Sequence, residues 1–134
     1  MLLAIYNALD GENWTFWRAW RGNFSVASWS GVTVEEIPGE GMRVTRLNLW
    51  RNGMTGELPD EMGDLTYLKE INFNENNITG NIPESFKNLK HLREFLIDNN
   101  QLTGFPDISE NSFQSRPEFA CNRIISILMH WKLS

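Results

Sequence analysis

The sequence predicts an α/β solenoid. Repeated units would each add one short strand to a parallel sheet, with a helix and a hairpin covering the N-terminal end. Three observations point there. A pattern of about a dozen positions recurs every 24 residues from Val44 to about Ile108. An aromatic-rich stretch without that period precedes it. The composition is that of a folded domain, 134 residues with 41% hydrophobic and 22% charged. The expected organisation is one domain over residues 1–134: a cap over 1–43, about three 24-residue repeats over 44–108 and a C-terminal capping segment over 109–134.

The repeat is the strongest signal. Leu47, Ile71 and Phe95 are 24 residues apart, as are Leu49, Phe73 and Ile97. Asn52, Asn76 and Asn100 keep the step, followed by Met54, Ile78 and Leu102 and then by three Thr-Gly pairs from Thr55, Thr79 and Thr103. Pro59 and Pro83 follow in register, and Pro106 arrives one residue early. Alternation in Leu47-x-Leu49 predicts a half-buried strand. An asparagine at the buried bend after it can satisfy backbone groups that the bend leaves unpaired, so Asn52, Asn76 and Asn100 predict a structural ladder. Thr-Gly predicts a turn, and the proline stiffens the return path. Met62, Leu65 and Leu68, matched by Phe86, Leu89 and Leu92, return the chain to the core.

The run Leu65-x-x-Leu68-x-x-Ile71-x-Phe73-x-x-Asn76-x-Ile78-Thr79-Gly80-x-Ile82-Pro83 resembles the leucine-rich repeat, in the subtype with an L-T-G-x-I-P turn seen in plant receptors. The resemblance implies a right-handed coil with a concave parallel sheet, and binding of a protein or peptide as the usual function.

Residues 1–43 read as the cap that a solenoid needs. Leu2, Ile5, Tyr6 and Leu9 share one face of a short helix ending near Asp10-Gly11. Trp14, Phe16, Trp17, Trp20 and Trp29 follow. Tryptophan buries about 150–250 Å², so Trp14, Trp17, Trp20 and Trp29 are read as core rather than as a sugar-stacking platform. Residues 31–37 and 42–47 flank Pro38-Gly39-Glu40-Gly41, a hairpin whose second arm runs into the first repeat strand. The stretch Trp29-Ser30-Gly31-Val32-Thr33, then Arg43 to Leu49, resembles the cap of the plant proteins. There a cysteine pair staples it; here Val34 follows Thr33 and Cys121 is the only cysteine. In this the chain resembles more closely the cysteine-free bacterial proteins with this repeat, often secreted or surface-attached. That favours an extracellular or cell-surface location. Met1 to Tyr6 carries no basic leader or cleavage site and reads as no signal peptide.

Beyond Ile108 the repeat fails. Phe119-x-Cys121 reads as a degenerate strand, and Ile124 to Leu133 as an apolar segment that closes the core or joins a second copy as a homodimer. That segment is too short to span a membrane, which takes about 20 apolar residues. A net charge of −5 argues against nucleic acid. The lone cysteine and two histidines, His91 and His130, offer no metal site, and no cofactor is implied. No G-x-S-x-G, phosphate-loop or H-E-x-x-H motif supports catalysis, and Asp98 to Asp107 does not follow the EF-hand pattern.

Residues flanking the buried pair of each strand face solvent. They form four rows: Arg46, Glu70, Glu94; Asn48, Asn72, Leu96; Trp50, Asn74, Asp98; and Arg51, Glu75, Asn99. Arginines lie towards the cap and carboxylates further along, and Arg46 beside Glu70 reads equally as a cross-strand ion pair. Trp50, turned outward, is the best contact candidate. The expected function is a protein- or peptide-binding module without catalysis. The alternatives are a self-associating surface protein and a carbohydrate-binding one.

Overall fold

The computed structural model describes residues 2–104 apart from residues 17, 21 and 23. The expectations for Trp17, for Pro106 and Ile108, for Phe119 to Cys121 and for the apolar Ile124–Leu133 segment lie outside the described residues.

The first helix, α1, spans Leu2–Ala8 and buries Leu2, Ile5 and Tyr6, the i, i+3, i+4 face of its sequence. It stops where Asp10 turns left-handed at φ 60°. The Asn13 amide donates to the Asp10 carboxylate at 2.9 Å and fixes that turn. A Cβ at Gly11 would collide with the Tyr6 ring, so only glycine lets the chain pass there.

Trp14 and Trp20 then fill the space beside α1, with Trp20 fully buried. The Trp14 and Trp20 rings meet edge to face at 5.0 Å, and Trp29 lies 5.1 Å from Trp20. Burying an indole leaves one polar group to satisfy. Trp14 Nε1 donates to the Leu9 carbonyl at 2.7 Å and Trp20 Nε1 to the Ser30 carbonyl at 2.8 Å. The core reading thus holds for Trp14 and Trp20, and Trp29 packs half-buried against them. Phe16, from the same aromatic run, stays 59% exposed.

Strands β1 (Val32–Ile37) and β2 (Gly41–Asn48) form the antiparallel hairpin, with an irregularity between Thr33 and Val34. The free edge of β2 pairs in parallel with β4 (Glu70–Asn72), which pairs with β6 (Glu94–Leu96). The first sheet therefore runs β1-β2-β4-β6. One strand, β2, serves both the hairpin and the first repeat.

A second parallel sheet corrects the turn expected at Thr-Gly. Strands β3 (Thr55–Glu57), β5 (Asn77–Asn81) and β7 (Gln101–Gly104) lie side by side there. Stacked units give the backbone of each Thr-Gly segment a neighbour to pair with, Thr55 lying opposite Asn77 and Thr79 opposite Gln101. The glycines are still required. Gly56 and Gly80 have φ of 109° and 75°, and a Cβ on Gly56 would meet the Ala8 carbonyl oxygen.

The return paths are 3₁₀ turns over Asp60–Asp64 and Glu84–Asn88, entered from Pro59 and Pro83. Met62, Leu65 and Leu68, then Phe86, Leu89 and Leu92, are all buried between the sheets. Each such side chain contributes about 1.5–3 kcal/mol of burial.

Asparagines join the units. The Asn76 carbonyl oxygen accepts the backbone N–H of Asn52 and of Met54, at 2.9 and 3.0 Å. Its amide donates to the carbonyls of Leu49, Phe73 and Asn74. Asn100 repeats this one unit on, accepting from Ile78 and donating to Phe73, Ile97 and Asp98. Asn52 reaches the other way, accepting the Phe16 N–H at 2.6 Å. Its backbone carbonyl accepts from Thr15 N–H at 3.0 Å. The aromatic segment is thereby attached to the first rung as a further repeat would be.

Candidate outward-facing binding site

The outward face of the first sheet carries nine of the ten predicted contact residues in accessible positions: Arg46, Asn48, Trp50, Arg51 and Asp98 are exposed, and Glu70, Asn72, Asn74 and Glu94 are half-buried. Parallel pairing continues past the strand ends, since Arg51 N–H donates to the Asn74 carbonyl and Glu75 N–H to that of Asp98. Trp50, Asn74 and Asp98 therefore stand in one row across three successive repeats.

Leu96 departs from the expectation. It was predicted to face solvent in the Asn48–Asn72 row, but it is buried. An isobutyl group gains from leaving water where its two amide counterparts do not.

The arginines and carboxylates meet as cross-strand ion pairs, the alternative that Arg46 beside Glu70 offered in the sequence. Arg46 Nε lies 2.9 Å from Glu70, which also meets Arg93 at 3.7 Å. Arg51 meets Glu75 at 3.7 Å. Cross-strand pairing at the 24-residue step brings each arginine onto the next unit's glutamate. No ion pair to Asp98 forms among the described residues.

One regularity went unseen in the sequence. Arg51, Glu75 and Asn99 all adopt left-handed backbone, with φ of 51°, 57° and 58°. Only Asn99 hinted at this, because asparagine tolerates that region better than arginine or glutamate does. A second missed feature is a stack of Tyr67 on His91, centroids 5.2 Å apart, with the Arg43 guanidinium 6.0 Å from the Tyr67 ring. These too lie 24 residues apart.

The most site-like hollow opens beside Trp50. It measures about 420 Å³ and is lined by Phe16, Ser30, Gly31, Asn48, Leu49, Trp50 and Asn52. Phe16 and Trp50, 59% and 47% exposed, flank it. Gly31 helps to line it at φ 80°, and a Cβ there would strike the Asn48 carbonyl oxygen. Sequence reasoning found Trp50 but assigned Phe16 only to the aromatic cap. Phe16 enters because Asn52 binds its backbone N–H and turns that residue outward. A larger hollow of about 550 Å³ lies among Leu2, Leu3, Val26, Trp29, Met42 and Leu65, with Ser25 as its one hydroxyl. It offers little to orient a ligand, so the Trp50 hollow is the better candidate.

Within β2, Thr45 is fully buried and its hydroxyl makes no hydrogen bond of good geometry. It lies close enough to the Glu35 carboxylate to favour the ionised form. The Lys69 ammonium, 3.4 Å away, adds to that, and Glu35 titrates below the ordinary glutamate value. Among the described residues no cluster of three His, Cys, Asp or Glu could hold a metal, and no helix is long and apolar enough to cross a membrane.

Residues 42–102 match the family described as Leucine rich repeat. The solved structures agree. The ectodomain of the receptor kinase SOBIR1 from Arabidopsis thaliana is 23% identical with a TM-score of 0.61, over 75% of this chain and 52% of that one. The BIR2 ectodomain from the same plant is 24% identical with a TM-score of 0.64, over 75% of this chain and 54% of that one. The region has the leucine-rich-repeat fold. A plant ice-binding protein is also similar, 29% identical with a TM-score of 0.64, over 75% of this chain and 32% of that one. The leucine-rich-repeat match thus spans about half the length of the two ectodomains. These relatives are plant proteins, whereas the cysteine-free N-terminal segment resembled bacterial ones. No curated protein sequence matches.

Proposed function

We propose that the chain is a non-catalytic binding module that offers the outward face of its first sheet, as the concave face of a right-handed coil, to a protein or peptide. Residues 2–43 act as the cap of that coil. The single observation that carries this is the pairing of exposed Phe16 with exposed Trp50 around a hollow of about 420 Å³ at the edge of an ordered polar sheet. Aromatic side chains held open to water on rigid backbone are the usual anchors of interfaces. The likeness to two receptor ectodomains supports the fold of such a module and an extracellular or cell-surface setting.

The test is selection from a random peptide library on the immobilised protein, followed by affinity measurement on wild type and on Trp50→Ala. Selected peptides should lose about tenfold or more in affinity for the variant. Peptides indifferent to Trp50 would move the site elsewhere, and the absence of any selected binder would sink the reading.

A further inference from the structure

We infer that the partner segment is a polyproline II strand carrying a large apolar residue and, three positions away, a basic residue. This rests on the peptide-binding reading and goes on to name the partner's chemistry.

The row Trp50, Asn74, Asp98 supplies the ruler. Its members lie on adjacent parallel chains, as the Arg51-to-Asn74 and Glu75-to-Asp98 backbone hydrogen bonds fix. Two strand spacings of about 4.8 Å put the Trp50 and Asp98 positions roughly 9.6 Å apart. Polyproline II rises about 3.1 Å per residue with three residues per turn, so residues i and i+3 point the same way about 9.3 Å apart. A β-extended peptide does not fit this ruler. Its i and i+3 side chains point to opposite faces, and its same-face pairs fall at roughly 6.6 or 13 Å.

The two ends of the row differ in chemistry. At the Trp50 end the hollow is bounded by two aromatic rings, and the backbone of both is held. Phe16 N–H donates to Asn52 at 2.6 Å and Trp50 N–H to Asn48 Oδ1 at 3.4 Å. Held backbone leaves only side-chain freedom to lose on binding, which suits a single large apolar side chain. At the other end the Asp98 carboxylate is exposed and forms no ion pair among the described residues. Glu94 adds negative charge in the same repeat. Nearer the hollow, Glu70 and Glu75 are already met by Arg46 and Arg51. A cation is therefore attracted to the Asp98 end. Asn74, between the two ends, accepts the Asp98 N–H on its side-chain oxygen at 2.6 Å, and a polyproline II strand requires no backbone ladder.

The test uses synthetic labelled peptides with one phenylalanine and one lysine, separated by varied numbers of serines, in both chain orders, read by fluorescence anisotropy. The i, i+3 spacing should bind about fivefold or more tighter than i, i+2 or i, i+4. Replacing the two intervening serines by prolines should tighten binding further, because it preorganises the strand. Asp98→Lys should weaken binding by about fivefold, and a peptide with glutamate in place of lysine should restore it. Phe16→Ala should weaken every peptide alike, with the fold checked by circular dichroism. Equal binding at all spacings, or loss on introducing proline, would overturn the inference and leave peptide binding intact. Failure of every peptide to bind, with a neutral oligosaccharide bound by wild type and lost in Trp50→Ala, would overturn both.

Discussion

The two halves of the described chain build their cores by different means. Residues 2–43 use bulk: Tyr6, Trp14 and Trp20 fill an irregular volume through ring contacts of 5.0–6.3 Å, and each indole N–H finds one carbonyl. Residues 44–104 use direction. Their apolar side chains are modest, and the units are held in register by asparagines that bridge each repeat to its neighbour's backbone. Bulk tolerates variation in shape but needs area. Direction needs little area but fixes spacing, so only the second half offers a ruler against which a partner can be measured.

The largest expected effect tests the first means. Trp20→Ala removes a fully buried indole and should cost about 3–5 kcal/mol in urea unfolding followed by far-ultraviolet circular dichroism. Trp20→Phe should recover most of that, since volume is the main contribution. A loss under about 1 kcal/mol for the alanine variant would mean that the segment packs without depending on its centre.

Asn76→Ala tests the second. It strips an acceptor from two buried N–H groups and a donor from three carbonyls. An unsatisfied buried group costs about 1–3 kcal/mol, so a total near 3 kcal/mol is expected. The contrast lies in the rescue. Asn76→Leu keeps roughly the side chain's size but restores no bond, and it should be no better than alanine. If leucine recovered stability, the repeats too would be held by volume and the distinction would fall.

This difference also governs what could be read from the sequence. A directional device recurs, and recurrence is visible: Asn52, Asn76 and Asn100, the buried strand pairs and the return-path leucines all follow from the 24-residue step. A bulk device does not recur. Trp14, Phe16 and Trp20 look alike on paper, and only tertiary packing sends two inward and one outward. The second sheet was missed for another reason. Thr-Gly carries turn chemistry, and its pairing arises only once units stack. Leu96 was missed because a row rule cannot see that one member is apolar enough to leave it. Of the candidate site, Trp50 and the rows were legible. The hollow was not, since it depends on Asn52 capturing the Phe16 backbone from 36 residues away.

A smaller effect separates repeat geometry from repeat sequence. Glu75 holds φ 57° without glycine's freedom. A left-handed residue costs about 1–2 kcal/mol, whereas its exposed pair with Arg51 is worth about 1 kcal/mol at most. Glu75→Gly should therefore be neutral or raise stability by up to about 1 kcal/mol. The same change at Asn77, outside that register, should only destabilise. A clear loss at Glu75 would show that the ion pair outweighs the backbone.

The smallest effect lies where the two halves meet, at Glu35 on β1 and Lys69 beside β4. Glu35 titrates below its ordinary value because the Thr45 hydroxyl and the Lys69 ammonium favour its ionised form. A depressed folded pKa means that the stabilisation is present above the unfolded value, about 4.3, and is lost as pH falls through the folded one. Glu35→Gln removes that contribution at neutral pH and removes its pH dependence. Its melting temperature should sit slightly below wild type at pH 7 and converge with it under acid, below the ordinary glutamate range. Parallel melting curves at every pH would mean that the hairpin and the repeats meet through backbone pairing alone, with no electrostatic contribution at their junction.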